Sequence, residues 1–198
     1  MDPREDLARI ARLLYARGLI TAAGGNLSVR ISDDLFWITP SGPHKGGLSP
    51  SDMVLMSTSG EVVEASLRRP SSEWRMHAAI YKVRSDAKAV VHAHGSLSTT
   101  LATLIGGITP LSEEGVIYLG GRVQVVPWRR AGTWDLANAV AEALEDSNIV
   151  VIERHGSVAV GPNLEVACAR VESLEEAAEH LRAVLRSGRG GWRSVLWP

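Results

Sequence analysis

The segment Ala89-Val90-Val91-His92-Ala93-His94-Gly95 decides the fold class. Its small and β-branched residues make it a buried strand, and the glycine closes the run. Side chains alternate along a strand, so His92 and His94 face the same way with only Ala93 between them. Two imidazoles at that spacing can close on a metal ion without distorting the backbone.

A second strand ends the same way. Ile149 to Ile152 is wholly apolar and runs into Arg154-His155-Gly156. Three imidazoles from two adjacent strand ends would leave a divalent ion one open coordination position, as catalytic zinc requires. Glu73 stands on the first turn of a helix expected over Glu73 to Val83, whose apolar positions are 76, 79, 80 and 83. A glutamate there favours the helix dipole; beside the histidines it would be a fourth ligand or a general base. Ser71 and Ser72, with the free N–H groups of the helix start, offer an anion site. Gly25-Asn26 and Ser41-Gly42 are tight turns with exposed donors, and the three segments together could surround one phosphate. His77 shares the face of Glu73 and is expected to pack behind the site. His44 and His180 are expected at the surface, and Glu113 and Glu114 in a solvated turn after Pro110.

Outward from these segments, elements alternate irregularly. Leu7, Ile10, Ala11 and Leu14 predict an amphipathic helix over Pro3 to Arg17, stopped by Gly18. Strands follow over Leu27 to Ile31 and Leu35 to Thr39, then Met53 to Ser57 and Glu61 to Glu64, two hairpins in all. His44 to Leu48 is expected to be loop. After the His92 strand come helices over Ser96 to Leu104 and Thr133 to Leu144, strands over Val123 to Val126 and Ser157 to Val160, and a long helix capped by Asn163. The expectation is an α/β fold with a mostly antiparallel sheet, in one domain over 1–198 with a tail at 189–198. Trp192 and Trp197 in that tail would dock against a partner subunit.

The 198 residues suffice for a core without staples. A formal net charge of -1 gives no basic surface for nucleic acid or membrane. A single cysteine, Cys168, excludes an intramolecular disulfide framework. With no apolar N-terminal core and no spanning run, a cytoplasmic location is expected.

Five motifs then occur in order: Gly25-Asn26-Leu27-Ser28-Val29-Arg30, Ile38-Thr39-Pro40-Ser41-Gly42, Pro70-Ser71-Ser72-Glu73-Trp74, His92-Ala93-His94 and Arg154-His155-Gly156. On these the chain resembles the class II aldolase/adducin family over about residues 5 to 185. The resemblance implies a three-layer fold, a central mostly antiparallel sheet flanked by helices, in a homotetramer with active sites between subunits. It implies one Zn2+ per subunit on His92, His94 and His155, approached by Glu73 as acid/base. It places the substrate phosphate on Gly25, Asn26, Ser41, Gly42, Ser71 and Ser72. The implied reaction splits a ketose 1-phosphate such as L-fuculose 1-phosphate into dihydroxyacetone phosphate and an aldehyde. Where the family carries a tyrosine that reaches a neighbouring subunit's site, this chain has Glu113 and Glu114, with Tyr118 out of register. A glutamate there resembles the methylthioribulose-1-phosphate dehydratases, in which it is the acid/base. Ribulose-5-phosphate 4-epimerases resemble the chain with an aspartate in place of Glu73, and adducin-type interaction domains lack the metal histidines.

Overall fold

The computed structural model describes residues 2–42, 44–64 and 66–187. Seven strands form one sheet: β1 (Asn26–Arg30), β2 (Leu35–Ile38), β3 (Val54–Ser57), β4 (Ala89–Ala93), β5 (Val125–Val126), β6 (Ile149–Ile152) and β7 (Gly156–Gly161). Their order is β3-β2-β1-β4-β7-β6-β5, antiparallel throughout except for β5 on β6. β4 is therefore central, with β1 and β7 on its flanks.

Alternation along the strands divides the core into two layers. Ala89, Val91 and Ala93 of β4, with Ile149 and Val151 of β6, pack under α1 (Pro3–Ala16), α3 (Ser96–Ile105), α4 (Glu113–Leu119) and α6 (Leu164–Arg186). Val90, Val150 and Ile152 pack under α2 (Trp74–Val83) and α5 (Trp134–Ala143). The parity that puts Val90 beneath α2 also turns His92 to that face, where the start of α2 carries Glu73. The three-layer architecture expected from the sequence is what the chain adopts.

Three local expectations are revised or lie elsewhere. Val62 makes only an isolated bridge to Met56 instead of a strand over 61–64, because this outer edge has no further neighbour and Val62 and Val63 stay exposed. Glu113 and Glu114 begin helix α4 and do not lie in a turn. The Ser112 hydroxyl accepts the Gly115 N–H at 3.1 Å, and the two carboxylates sit at the positive end of the helix dipole. Trp192 and Trp197 lie outside the described residues.

Candidate metal centre

β4 delivers two imidazoles to one point. His92 is fully buried, and its Nδ1 lies 2.9 Å from the Ser157 carbonyl oxygen on β7. A carbonyl only accepts, so Nδ1 carries a proton and Nε2 is the ring nitrogen turned towards the centre. His94, just past the strand end, brings its Nε2 to 3.0 Å from that of His92. The turn between β6 and β7 adds His155, with Nε2 3.3 Å from His92 Nε2. In that turn Arg154 takes a left-handed conformation, φ 56, and its N–H donates to Thr103 Oγ1 at 3.1 Å. Gly156 follows because a Cβ there would strike the Ala93 carbonyl oxygen and crowd both β4 histidines. Gly24 is equally constrained, since a Cβ would lie 2.6 Å from His94 Nδ1.

Glu73, at the start of α2, closes the group. Its Oε2 is 3.0 Å from His92 Nε2 and its Oε1 3.6 Å from His155 Nε2. Burial pushes the carboxyl upward, but the positive charge of protonated His92 and His155 beside it outweighs that and holds Glu73 well below the usual carboxylate range. His94 is pushed down to about 3, first by burial and then by His92 and His155. Both the carboxylate and that imidazole are therefore in metal-ligating form near neutrality.

Behind the centre runs a buried polar chain that the sequence showed only in part. The Asn26 amide nitrogen donates to Glu73 Oε2 at 3.3 Å, and its Oδ1 lies 2.5 Å from His77 Nε2. His77 Nδ1 is 2.6 Å from the Ser28 hydroxyl, which is 2.7 Å from the Tyr81 hydroxyl. His77 was expected to pack behind the site, and it does so as a hydrogen-bonded group. The available signal was spacing: Ser28 follows Asn26 by two on β1, while His77 and Tyr81 follow Glu73 by four and eight on α2.

The expected phosphate turns converge beside Asn26. The Thr39 N–H donates to the Leu27 carbonyl at 3.0 Å and the Thr39 Oγ1 accepts the Leu27 N–H at 3.1 Å, which closes the β1–β2 pairing and leaves Pro40 to bridge to Pro70. The Ser41 N–H donates to Arg69 O at 2.9 Å and the Ser71 N–H to Thr39 O at 3.2 Å, which brings 39–41 alongside 69–71. Ser41, Gly42 and Ser72 are exposed there, while Ser71 is buried with its hydroxyl accepting the Glu73 N–H at 3.3 Å. On the α3 side, a cavity of about 400 Å3 lined by His94, Thr99, Thr103, Leu104, Arg154 and His155 opens onto the histidines. Glu113 and Glu114 are exposed on α4 and stand outside the ligand group.

One ligand atom from each of Glu73, His92, His94 and His155 lies within 4.8 Å of all the others. Glu73 Oε1 is buried with no hydrogen-bond partner. Three imidazole nitrogens facing one another and an orphaned carboxylate oxygen suit a divalent cation and nothing neutral. The model of the Class II Aldolase and Adducin N-terminal domain matches residues 5–181. The chain belongs to the class II aldolase and adducin family. By this kinship it is an aldolase-type lyase, and the metal dependence of class II aldolases agrees with the donor set. It is 35% identical over 179 residues to the L-fuculose phosphate aldolase of Methanocaldococcus jannaschii, covering 90% of this aldolase and 94% of that one. It is 34% identical to the 3-oxo-tetronate 4-phosphate decarboxylase of Escherichia coli, over 89% of this chain and 84% of the other. The crystal structure of L-fuculose-1-phosphate aldolase from Thermus thermophilus superposes with a TM-score of 0.82 at 33% identity, covering 93% and 95% of the two chains.

Proposed function

We propose that this aldolase is a zinc enzyme that reversibly cleaves a ketose 1-phosphate, such as L-fuculose 1-phosphate, into dihydroxyacetone phosphate and an aldehyde. The observation that carries the reading is Glu73, a buried carboxylate whose Oε1 has no partner and faces three imidazole nitrogens. His92, His94 and His155 would hold one Zn2+ per subunit, with Glu73 approaching it. Held by neutral imidazoles, such an ion would keep its double charge and would supply Lewis-acid stabilisation of the negative charge that develops as the bond between C3 and C4 breaks.

The chain's own groups handle binding and the proton. Gly25, Asn26, Ser41, Gly42, Ser71 and Ser72 hold the phosphate and so set the reacting carbons beside the histidines. Glu73 carries the proton between its carboxylate and C3: it gives the proton in cleavage and takes it in condensation. Its ionised state at rest, maintained by His92 and His155, suits the condensation direction. Glu113 and Glu114, exposed on α4, would reach a neighbouring subunit's site in a homotetramer, take the C4 hydroxyl proton there as the aldehyde leaves, and return it to the aldehyde oxygen in condensation. The enzyme would work in the cytoplasm.

Decarboxylation is the second reading, favoured by the similarity to the Escherichia coli decarboxylase. A 3-oxo-tetronate 4-phosphate that loses carbon dioxide leaves the same enediolate of dihydroxyacetone phosphate, with no hydroxyl to deprotonate on the departing fragment.

The deciding experiment incubates metal-replete and chelated enzyme with fuculose 1-phosphate, ribulose 1-phosphate, methylthioribulose 1-phosphate, ribulose 5-phosphate and 3-oxo-tetronate 4-phosphate. Dihydroxyacetone phosphate is measured with a coupled reductase, and carbon dioxide separately. Metal-dependent dihydroxyacetone phosphate without carbon dioxide is the expected result. Carbon dioxide release selects the second reading; dehydration or epimerisation alone, or turnover equal after chelation, removes both.

A further inference from the structure

Lys45 is the feature of this chain that the metal chemistry does not absorb. It lies in a short 3-10 turn, Lys45–Gly47, capped by the His44 ring, which accepts the Gly46 N–H at 3.1 Å. Its residue surface is 2% exposed, among the largest side chains fully enclosed by the fold. The ammonium donates to the Pro40 carbonyl oxygen. Among the described residues no carboxylate pairs with it. A buried ammonium with one carbonyl for company is a poor bargain for stability, since neither its charge nor its other two N–H groups are compensated. Desolvation accordingly pushes Lys45 below the ordinary lysine value.

Its position says what compensates the charge. The Lys45 backbone N–H donates to Ala22 O at 3.1 Å, tying the turn to the segment that leads into Gly24 and Gly25. Its ammonium ends on Pro40, the residue before Ser41, which bridges to Pro70 beside Ser71. One end of the residue is thus tied to the segment that leads into the Gly25–Asn26 turn and the other to the residue that precedes Ser41–Gly42. These are two of the three segments that converge on the proposed phosphate position, and their other groups are neutral donors.

We propose that Lys45 is the buried cation of the phosphate subsite, supplying the positive charge against which the phosphate dianion of the substrate is bound. Serine hydroxyls and backbone N–H groups orient a phosphate, whereas an ammonium of fixed position neutralises it. This deepens the function proposed above and rests on its phosphate-holding turns. A bound dianion also gives the lysine the partner it lacks in the free protein, so occupancy and the stability of the two turns are linked.

The test titrates inorganic phosphate into the full chain and follows the melting temperature of wild type, Lys45→Met and Lys45→Arg. Lys45→Met keeps an unbranched side chain one heavy atom shorter and removes the charge and donors. The expected wild type is stabilised by phosphate. The expected Lys45→Met protein melts at or above wild type without phosphate, and binds phosphate at least tenfold more weakly. Equal phosphate affinity in wild type and Lys45→Met overturns the assignment and leaves the lysine a staple between two turns. A wild type that gains nothing from phosphate removes the subsite altogether, while metal-dependent turnover in the assay above would still stand. Should Lys45→Met fail to fold, wild-type protein labelled with 15N-lysine gives the same answer. With only Lys45, Lys82 and Lys88 present, the buried Nζ resonance is assignable, and one that does not move when phosphate is added overturns the proposal.

Discussion

His77 decides which end of the Asn26 side chain faces Glu73. With His77 Nε2 2.5 Å from Asn26 Oδ1, the amide oxygen is held by the ring and the amide nitrogen is left to Glu73. Ser28, against the other ring nitrogen, keeps the proton of His77 on Nε2. Replacing His77 with Leu removes that hold, and the loss expected from an unsupported site residue is roughly 10- to 100-fold in turnover. Glutamine can set a donor near the Nε2 position, so His77→Gln should recover most of it. The two variants separate positioning from packing: equal losses in kcat for Leu and Gln would mean the ring matters only for its volume.

Acid sensitivity follows from two histidines. Burial is the first cause that pushes His77 and His94 down to about 3, with the neighbouring His92 charge second. In the unfolded chain each takes up a proton near its ordinary value of about 6.5. Between those limits the unfolded state binds more protons, so stability falls as the pH falls. Each fully neutral histidine contributes a slope of roughly 1.4 kcal/mol per pH unit. Urea denaturation of chelated protein at pH 7, 6, 5 and 4 should show this decline, with a shallower one in His77→Gln. An unchanged slope in that variant would mean that His77 is already charged in the fold.

His92→Ala and His155→Ala should each leave the purified protein without stoichiometric metal, read by elemental analysis. Glu73→Gln should keep most of the metal on its three imidazoles and lose turnover. Retained metal in either histidine variant, or full activity in the Glu73 variant, would break the corresponding assignment.

Gly156→Ala tests how closely the backbone is fitted to the centre. The new methyl meets the Ala93 carbonyl oxygen and both β4 rings, so β7 must move away from β4. A cost of about 1–3 kcal/mol is expected, together with weakened metal retention. Stability equal to wild type, measured by chemical denaturation, would contradict the packing described.

A carboxylate from the last helix anchors the element that follows His94. Glu175 accepts the Leu97 and Ser98 N–H groups at 3.0 and 3.1 Å, taking the place of a cap on α3. Glu175→Ala should cost about 1 kcal/mol and quicken hydrogen exchange at Leu97 and Ser98. Unaltered exchange at those two amides would rule the cap out.

Much of this was legible because it is written in short periods. The alternation at 89–94 placed His92 on one face, and the repeat of a His-Gly ending at 155–156 supplied its partner strand. Helix α4 was misread because two adjacent glutamates look like solvated loop, although Ser112 before them is a helix cap and Gly120 a helix end. The amide orientation of Asn26 was not legible. It depends on Ser28, His77 and Tyr81 meeting across a strand and a helix, a coincidence of register that no single segment carries. Lys45 was passed over for the same reason, since its burial is set by loops folded over it.

The pairing of β1 between β2 and β4 makes the sheet a ruler. Asn26 is paired with His92 and β2 lies on the other side of β1, so one strand spacing, about 5 Å, separates Asn26 from the histidine strand and two, about 10 Å, separate it from β2. Backbone ladders do not stretch, so the proposed phosphate turns would hold a phosphate and the ketone on its adjoining carbon at one set separation from the histidines. Fuculose 1-phosphate and 3-oxo-tetronate 4-phosphate, different as sugars, share that fragment. What lies beyond the ketone is not measured by the sheet at all, which leaves the far end of the molecule free to vary while the calibrated half stays fixed.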